Sequence, residues 1–208
     1  MDSTACIFVS EVAYSGTSNT MVEEGTRSIV VDYIKYRLDC CGFQWENDGR
    51  HVSVTPNPVQ EAMRRLGDAF EERYRNTFSD MIQKLNVTED TAAETFTAIM
   101  DEIFTDGVVN WGRVVALFGF TGRFVVYCWE HNMQNMVDNI VELVTSYVDT
   151  NLRDWMQEHN HWNGFLEFQA TESALPVDIK WPSLGKLFRL AVAGIGVITL
   201  GALFTHRS

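Results

Sequence analysis

The residues with the clearest capacity for chemistry form the quartet Asn110-Trp111-Gly112-Arg113, which opens the apolar run 114–120. Asparagine is a strong helix N-cap, so the quartet predicts the start of a buried helix. Arg113 would lie in the first turn, where the helix dipole disfavours a cation and burial without a partner costs several kcal/mol. Arg113 therefore either faces solvent and awaits a partner's carboxylate, or pairs with an acid of its own chain. Gly112 leaves room for another backbone to approach.

No other group of residues has the spacing of a catalytic or metal site. The sequence contains no P-loop or dinucleotide fingerprint, and no nucleophile stands in a recognisable pattern with a base. Glu158, His159 and His161 come closest to a metal motif, but histidines two positions apart point to different faces of a helix. We therefore expect a protein without enzymatic activity, cofactor or metal.

The composition suits one helical domain of ordinary size. Hydrophobic residues make up 46% of the 208 positions, and only four prolines interrupt the chain. The net charge is −12, although residues 180–208 contain four basic and no acidic side chains. An acidic body argues against binding to a phosphate backbone, which requires clustered Lys and Arg, so we expect no nucleic-acid partner. Four cysteines without disulfide or metal spacing favour a reducing compartment.

Apolar residues at helical spacing predict a series of amphipathic helices around one apolar helix. The first covers Ile29 to Leu38 and ends at Gly42. Asn57-Pro58-Val59-Gln60 predicts the start of a long second helix, whose apolar stripe runs to Met81 and leaves residues 64, 65, 68, 71 and 72 largely off the stripe. Thr91-x-x-Glu94 offers a second capping box, ahead of a central apolar segment at 110–129. No convincing strand pattern appears, so we expect an all-α domain.

The C-terminal segment 184–204 has the length and hydropathy of a membrane span. Its 21 residues would cover about 31 Å as a helix, enough for a hydrocarbon core of ~30 Å. Lys186 and Arg189 lie near its start, where long basic side chains can reach the headgroups. An amphipathic or buried terminal helix is the alternative, but three glycines would weaken it in water. We expect a tail-anchored protein with its acidic body in the cytosol.

Four stretches, taken in order with this tail, resemble the Bcl-2 family of apoptosis regulators over roughly residues 26–208. The first homology motif resembles 106–113, with one residue more than usual before Asn110, and the second resembles 155–162, where the family usually has glycines in place of Asn160 and His161. The third resembles 59–70, with Met63 where many members have leucine. The fourth resembles 30–38, followed by Gly42-Phe43-Gln44-Trp45.

The resemblance implies a bundle of about eight helices around a hydrophobic central hairpin, plus a C-terminal transmembrane helix. The corresponding division is a partly ordered lead-in at 1–25, a helical domain at 26–170, a linker at 171–183 and an anchor at 184–204.

The family's shared activity is helix-in-groove recognition, in which an amphipathic helix of a pro-apoptotic protein lies in a surface groove. The family pattern assigns Arg113 to an ion pair with the ligand's aspartate, Gly112 to close backbone approach and Asn110 to a polar contact. By position, the groove would be lined by Phe70, Arg73, Tyr74, Phe78, Met81, Ile99, Glu102, Ile103, Ala116 and Phe120, although core packing is the competing interpretation for each apolar residue. Gln169 stands where pro-survival relatives have a tyrosine late in the second motif.

Three functions follow from these patterns. The first is a pro-survival regulator that sequesters death-motif helices at the mitochondrial outer membrane, facing the cytosol, or at the endoplasmic reticulum membrane. The second is a pro-apoptotic effector of the Bax and Bak kind, which the run 113–118 somewhat resembles. The third is a toxin-like pore former without a protein ligand, which would leave the quartet at 110–113 unexplained.

Overall fold

The computed structural model describes residues 25–46, 55–85 and 87–174, with side chains placed at all of these positions except 78–85 and 172–174. Within them the chain forms seven α-helices and no strand, which confirms the all-α prediction. The helices are α1 (Thr26–Cys40), α2 (Pro58–Leu85), α3 (Glu89–Ile103), α4 (Trp111–Glu130), α5 (Met136–Asn151), α6 (Arg153–Glu158) and α7 (His161–Ala174).

The predicted lead-in at 1–25 falls almost wholly outside the described residues, and the predicted anchor at 184–204 falls entirely outside them. The predicted linker at 171–183 begins inside α7, which continues to Ala174. Within the described ranges, no helix is both long enough and apolar enough to cross a membrane.

The helix α4 occupies the centre of the bundle, as its apolar sequence predicts. Sixteen of its 20 residues are buried, and it contacts α1, α2, α3 and α5. Five residues connect α4 to α5, so these two contacting helices form the expected central hairpin. A helix that is apolar on every side is stable in water only when other helices cover it all round.

The helix α2 begins as its sequence predicts. The Asn57 side chain accepts hydrogen bonds from the N–H groups of Val59 and Gln60 at 2.9 and 3.0 Å, and the Gln60 side chain accepts from the Asn57 N–H at 2.9 Å. This reciprocal pair is a capping box. The predicted single stripe is nevertheless interrupted, because Tyr74 has non-helical angles (φ −110°, ψ 15°) that kink α2.

The second predicted capping box is wrong by three residues. The helix α3 begins at Glu89, so Thr88 is its N-cap and Thr91 occupies the position that Glu94 was expected to fill. The Thr88 N–H donates to Thr91 Oγ1 at 3.0 Å. Threonine at this position can replace Glu because its hydroxyl reaches the same N–H group.

Charged side chains join α1 to α2 along their contact. Arg64 donates to the buried Asp32 at 2.9 Å, and Arg37 donates to both Asp68 and Glu71 at 2.6 Å. Glu71 therefore does not lie on the solvated face, as the stripe predicted. It is only 9% exposed, because the guanidinium on α1 draws it into the interface.

The carboxylate of Glu71 is only partly satisfied in this interface. Its Oε1 atom is buried and has no hydrogen-bond partner among the described residues. Burial raises the pKa of Glu71 to about 7, although the cations Arg37, Arg123 and Arg75 oppose this and the charge of Asp68 reinforces it.

Glu71→Gln should therefore flatten the pH dependence of stability. A raised carboxyl pKa gives stabilisation that is complete below the ordinary value of 4.5 and is lost as the pH rises through about 7. Between pH 4.5 and pH 8 we expect the wild type to lose roughly 1–3 kcal/mol relative to Glu71→Gln, measured by urea unfolding at each pH. The exposed neighbour supplies the control, since Glu72→Gln should follow the wild-type profile. Parallel curves for wild type and Glu71→Gln would contradict the raised pKa.

The chain enters α7 through two residues in the left-handed region, Asn160 at φ +59° and His161, the first residue of α7, at φ +48°. These are the positions at which the second motif usually has glycines. A Cβ makes this conformation costly for most residues, and glycine avoids that cost. The side chain of His161 is exposed, so the strain is not offset by full burial.

His161→Gly should raise the free energy of unfolding by about 0.5–1 kcal/mol because it removes this strain. Gln157→Gly, an exposed position in the right-handed helix α6, is the matched control and should lower it by about 1 kcal/mol. Chemical denaturation of both variants checks the difference, and a loss of stability in both would show that position 161 carries no strain.

Candidate functional site

The guanidinium of Arg113 is buried and holds an acid of its own chain. Arg113 is 7% exposed. Its Nη2 donates to Asp106 Oδ2 at 2.6 Å, and its Nη1 donates to Asp106 Oδ1, so the ion pair is bidentate. Of the two possibilities that the sequence left open, the structure shows the intramolecular partner. The arrangement resolves the energetic problem of a cation in the first turn of a buried helix.

Arg113 also binds the backbone that connects α3 to α4. Its Nη1 donates to the carbonyl oxygens of Ile103 at 3.1 Å and Val108 at 2.9 Å. The Asp106 carboxylate in turn accepts from the N–H of Val108 at 3.0 Å, and Gly107 turns the chain at φ +72°. One side chain thus holds both ends of this connection against the start of α4.

The Asn110 N-cap is confirmed, since its side chain accepts from the Arg113 N–H at 3.0 Å. This cap fixes the register of α4, so that Arg113, Ala116 and Phe120 recur at i, i+3 and i+7 on one face of the helix. Gly112 is buried in the same first turn. Arg113, Ala116 and Phe120 are therefore brought onto one line.

Every described apolar candidate except Tyr74 is fully covered in this structure. The residues concerned are at most 1% exposed: Phe70, Ile99, Ile103, Ala116 and Phe120. They form a continuous apolar layer, because α3 packs against α4 and α5 while α2 packs against α4. The core interpretation therefore describes these five residues here, and a ligand helix would have to part the helices above them.

The remaining candidates lie around this layer. Arg73 is exposed, while Tyr74 and Glu102 are half-buried. The ring of Tyr74 lies 4.8 Å from that of Phe70 between centroids, at the kink in α2. Phe78 and Met81 belong to α2, but their side chains are outside the described set. Gln169 is a half-buried residue of α7.

A close helix contact positions Phe70 within the layer. A Cβ added to Gly119 would stand 2.5 Å from Phe70 Cδ1. Glycine at 119 therefore lets the phenyl ring of α2 lie directly on the backbone of α4. The next residue, Phe120, stacks on Phe96 of α3 with ring centroids 5.4 Å apart.

The first and second motifs meet through aromatic rings. Trp111 at the start of α4 packs edge-on against Trp155 of α6 at 4.8 Å, and against Phe165 of α7 at 5.5 Å. Aromatic pairs of this geometry contribute about 0.5–1.5 kcal/mol beyond the area they bury. They anchor the N-terminus of α4, and with it Arg113, to the C-terminal helices.

The chemistry available at this site is the binding of a carboxylate by a preorganised arginine beside a buried apolar layer. A bidentate guanidinium–carboxylate pair is both strong and geometrically specific, which lysine would not reproduce. Among the described residues, no group of histidine, cysteine or acidic side chains is arranged to hold a metal. The motif at 106–113 contained Asp106, but its spacing of seven residues from Arg113 did not by itself identify the pair.

Arg113→Met should lower the free energy of unfolding by about 2–4 kcal/mol. It removes the shared donor of two carbonyl groups and the counter-ion of Asp106. Arg123→Met is the control, because Arg123 is a half-buried arginine of the same helix that makes no hydrogen bond among the described residues. We expect a loss below about 1 kcal/mol there. Equal losses in urea unfolding would show that the bonds of Arg113 add nothing to stability.

Comparisons with known proteins match the sequence of this chain to one family. Residues 63–162 match the family described as apoptosis regulator proteins, Bcl-2 family. The chain is 38% identical over 159 residues to apoptosis regulator Bcl-2 of Canis lupus familiaris, covering 76% of this chain and 66% of that protein. It is 36% identical to human Bcl-2-like protein 1, covering 89% of this chain and all of that protein.

A solved structure has the same fold. The crystal structure of Trichoplax adhaerens trBcl-2L2 bound to trBak BH3 superposes with a TM-score of 0.62 at 29% identity, covering 68% of this chain and 95% of that one. Fold, motifs and relatives agree: the chain belongs to the Bcl-2 family of apoptosis regulators.

Proposed function

We propose that this protein is a pro-survival regulator that sequesters the amphipathic BH3 helix of pro-apoptotic relatives, effectors of the Bax and Bak kind included. The ligand helix would lie over the apolar layer formed by α2, α3 and α4, with its aspartate on Arg113. In this proposal the protein has no enzymatic role. It acts at the mitochondrial outer membrane, on its cytosolic side, or at the endoplasmic reticulum membrane.

The observation that carries the proposal is the bidentate pair between Arg113 and an aspartate. The guanidinium is already oriented by two backbone carbonyl groups, so it can receive an aspartate carboxylate without further ordering. The Trichoplax relative of the same fold binds a BH3 segment, which supports a helical ligand. The names of the closely matching vertebrate proteins, Bcl-2 and Bcl-2-like protein 1, support a role in apoptosis.

The charged contacts between α1 and α2 favour the pro-survival branch over the effector branch. Insertion of the region 110–148 into a membrane would require α4 to leave α1 and α2, which cover its sides. Arg37 of α1 and Arg64 of α2 hold three carboxylates of the facing helix through part-buried ion pairs, and breaking such a pair is costly. This arrangement is suited to a protein whose helices α1 and α2 stay together while it binds a partner's helix.

Arg113→Glu should weaken binding of a synthetic trBak BH3 peptide by about 2–5 kcal/mol, because it sets carboxylates against each other. Calorimetric titration of the folded variant measures the effect. A peptide whose motif aspartate is replaced by alanine is the control, since it should bind wild type and Arg113→Glu with similar, weak affinity. Unchanged affinity for the unmodified peptide would remove Arg113 from the site.

Dye release from liposomes of outer-membrane composition, treated with activated Bax, separates the two branches. A pro-survival protein lowers release, and Arg113→Glu should abolish that suppression. If the protein raises release, or permeabilises liposomes by itself after addition of the peptide, it is an effector.

A further inference from the structure

We propose that Asp106 is an internal competitor for the ligand's carboxylate, so that a BH3 helix binds by displacing Asp106 from Arg113. The inference rests on the proposed function and names a residue that sets the affinity of that same site. In this arrangement the free protein satisfies its binding arginine with its own aspartate.

Asp106 occupies the end of the Arg113 guanidinium that Nη1 and Nη2 form. Nη1 is directed at Asp106 and at the carbonyl oxygens of Ile103 and Val108, and Nη2 is directed at Asp106. Nε is buried and has no hydrogen-bond partner in the described part of the chain. Only 9% of the Arg113 side chain is exposed. A carboxylate from outside that is to bind both Nη1 and Nη2 must therefore take the place of Asp106.

The position of Asp106 keeps the free-energy cost of such an exchange low. Half of its side chain is exposed, so its carboxylate can return to water with little change in solvation. It lies in the connection between α3 and α4, directly before Gly107 with its positive φ of +72°, and not within a packed helix. The carbonyl groups of Ile103 and Val108 would continue to hold Nη1, so Arg113 would keep its orientation during the exchange.

The charge state of the competitor is suitable at neutral pH. The hydrogen bond from Arg113, reinforced by the N–H of Val108, lowers the pKa of Asp106 to about 2. The carboxylate is therefore ionised throughout the physiological range and opposes the ligand at every such pH. Since it is part of the same chain, it competes at a high effective concentration that does not depend on dilution.

The motif offers a reason why this competition can differ from that in relatives. The segment resembling the first motif has one residue more than usual between its aspartate and its asparagine. The additional residue lies in the connection that brings Asp106 back onto Arg113, seven positions along the chain. Val108 in this connection supplies both the carbonyl group that Arg113 binds and the N–H that holds the carboxylate.

Asp106→Asn and Asp106→Ser test the inference, using the full chain and a synthetic trBak BH3 peptide in calorimetric titrations. Both variants remove the competing charge but keep an oxygen that can accept from the N–H of Val108. We expect the Kd to fall by about 5- to 30-fold for both, because the peptide no longer has to displace a carboxylate from Arg113. Glu94→Gln, an exposed acid on α3, is the matched control for the change in net charge and should leave the Kd within about twofold.

A second peptide, with its motif aspartate replaced by asparagine, completes a double-mutant cycle. It should bind wild type and Asp106→Asn alike, since it brings no carboxylate to the arginine. If the wild type binds the unmodified peptide and the Asp106 variants bind it no more tightly, Asp106 is only a brace of the connection and the inference fails. If neither the wild type nor any variant binds the peptide, while each remains folded by circular dichroism, the proposed function itself fails.

Discussion

The structure depends on the complete burial of α4. This helix is apolar on nearly every side, and each large side chain removed from water contributes about 1.5–3 kcal/mol. The bundle around it is the arrangement that makes such a segment soluble, since α1, α2, α3 and α5 all contact it. The same burial creates the main electrostatic problem of the fold, because the apolar helix has an arginine in its first turn.

In the function that we propose, the solution to that problem is also the basis of recognition. A buried guanidinium must be paired, and the connection between α3 and α4 pairs it with Asp106 and two carbonyl groups. An arginine whose geometry is fixed in this way for stability is prepared to hold a carboxylate from another molecule. In that proposal, the carbonyl groups that stabilise Arg113 also orient it for a ligand.

A second set of ion pairs has a different role, at the interface of α1 and α2. Arg37 of α1 pairs with the buried Glu71 of α2, and Arg64 of α2 pairs with the buried Asp32 of α1. One carboxylate oxygen of Glu71 has no hydrogen-bond partner among the described residues. These contacts orient the helix that carries the third motif, and they link its stability to pH through Glu71. Both charged centres border α4. Arg113 lies in its first turn, and Arg37 and Glu71 lie against Gly122, further along the same helix.

Local patterns were sufficient for the elements whose signals are short-range. The start of α2 at Asn57, the N-cap at Asn110 and the central place of the segment 110–129 all follow from residues within a few positions of one another. The start of α3 was misplaced, because two threonines offered competing caps and local chemistry does not distinguish them. The kink at Tyr74 has no proline or glycine beside it, so no local pattern indicated it.

By itself, the sequence determined the helical class, the apolar central helix and the arginine that needs a carboxylate, since periodicity and capping act over one or two turns. Only the tertiary structure decided which carboxylate that is, that Glu71 is buried against α1, and that the apolar layer is buried. These outcomes depend on contacts between segments far apart in the chain or on the path of a connecting loop. Their energies are set by burial, which no local pattern specifies.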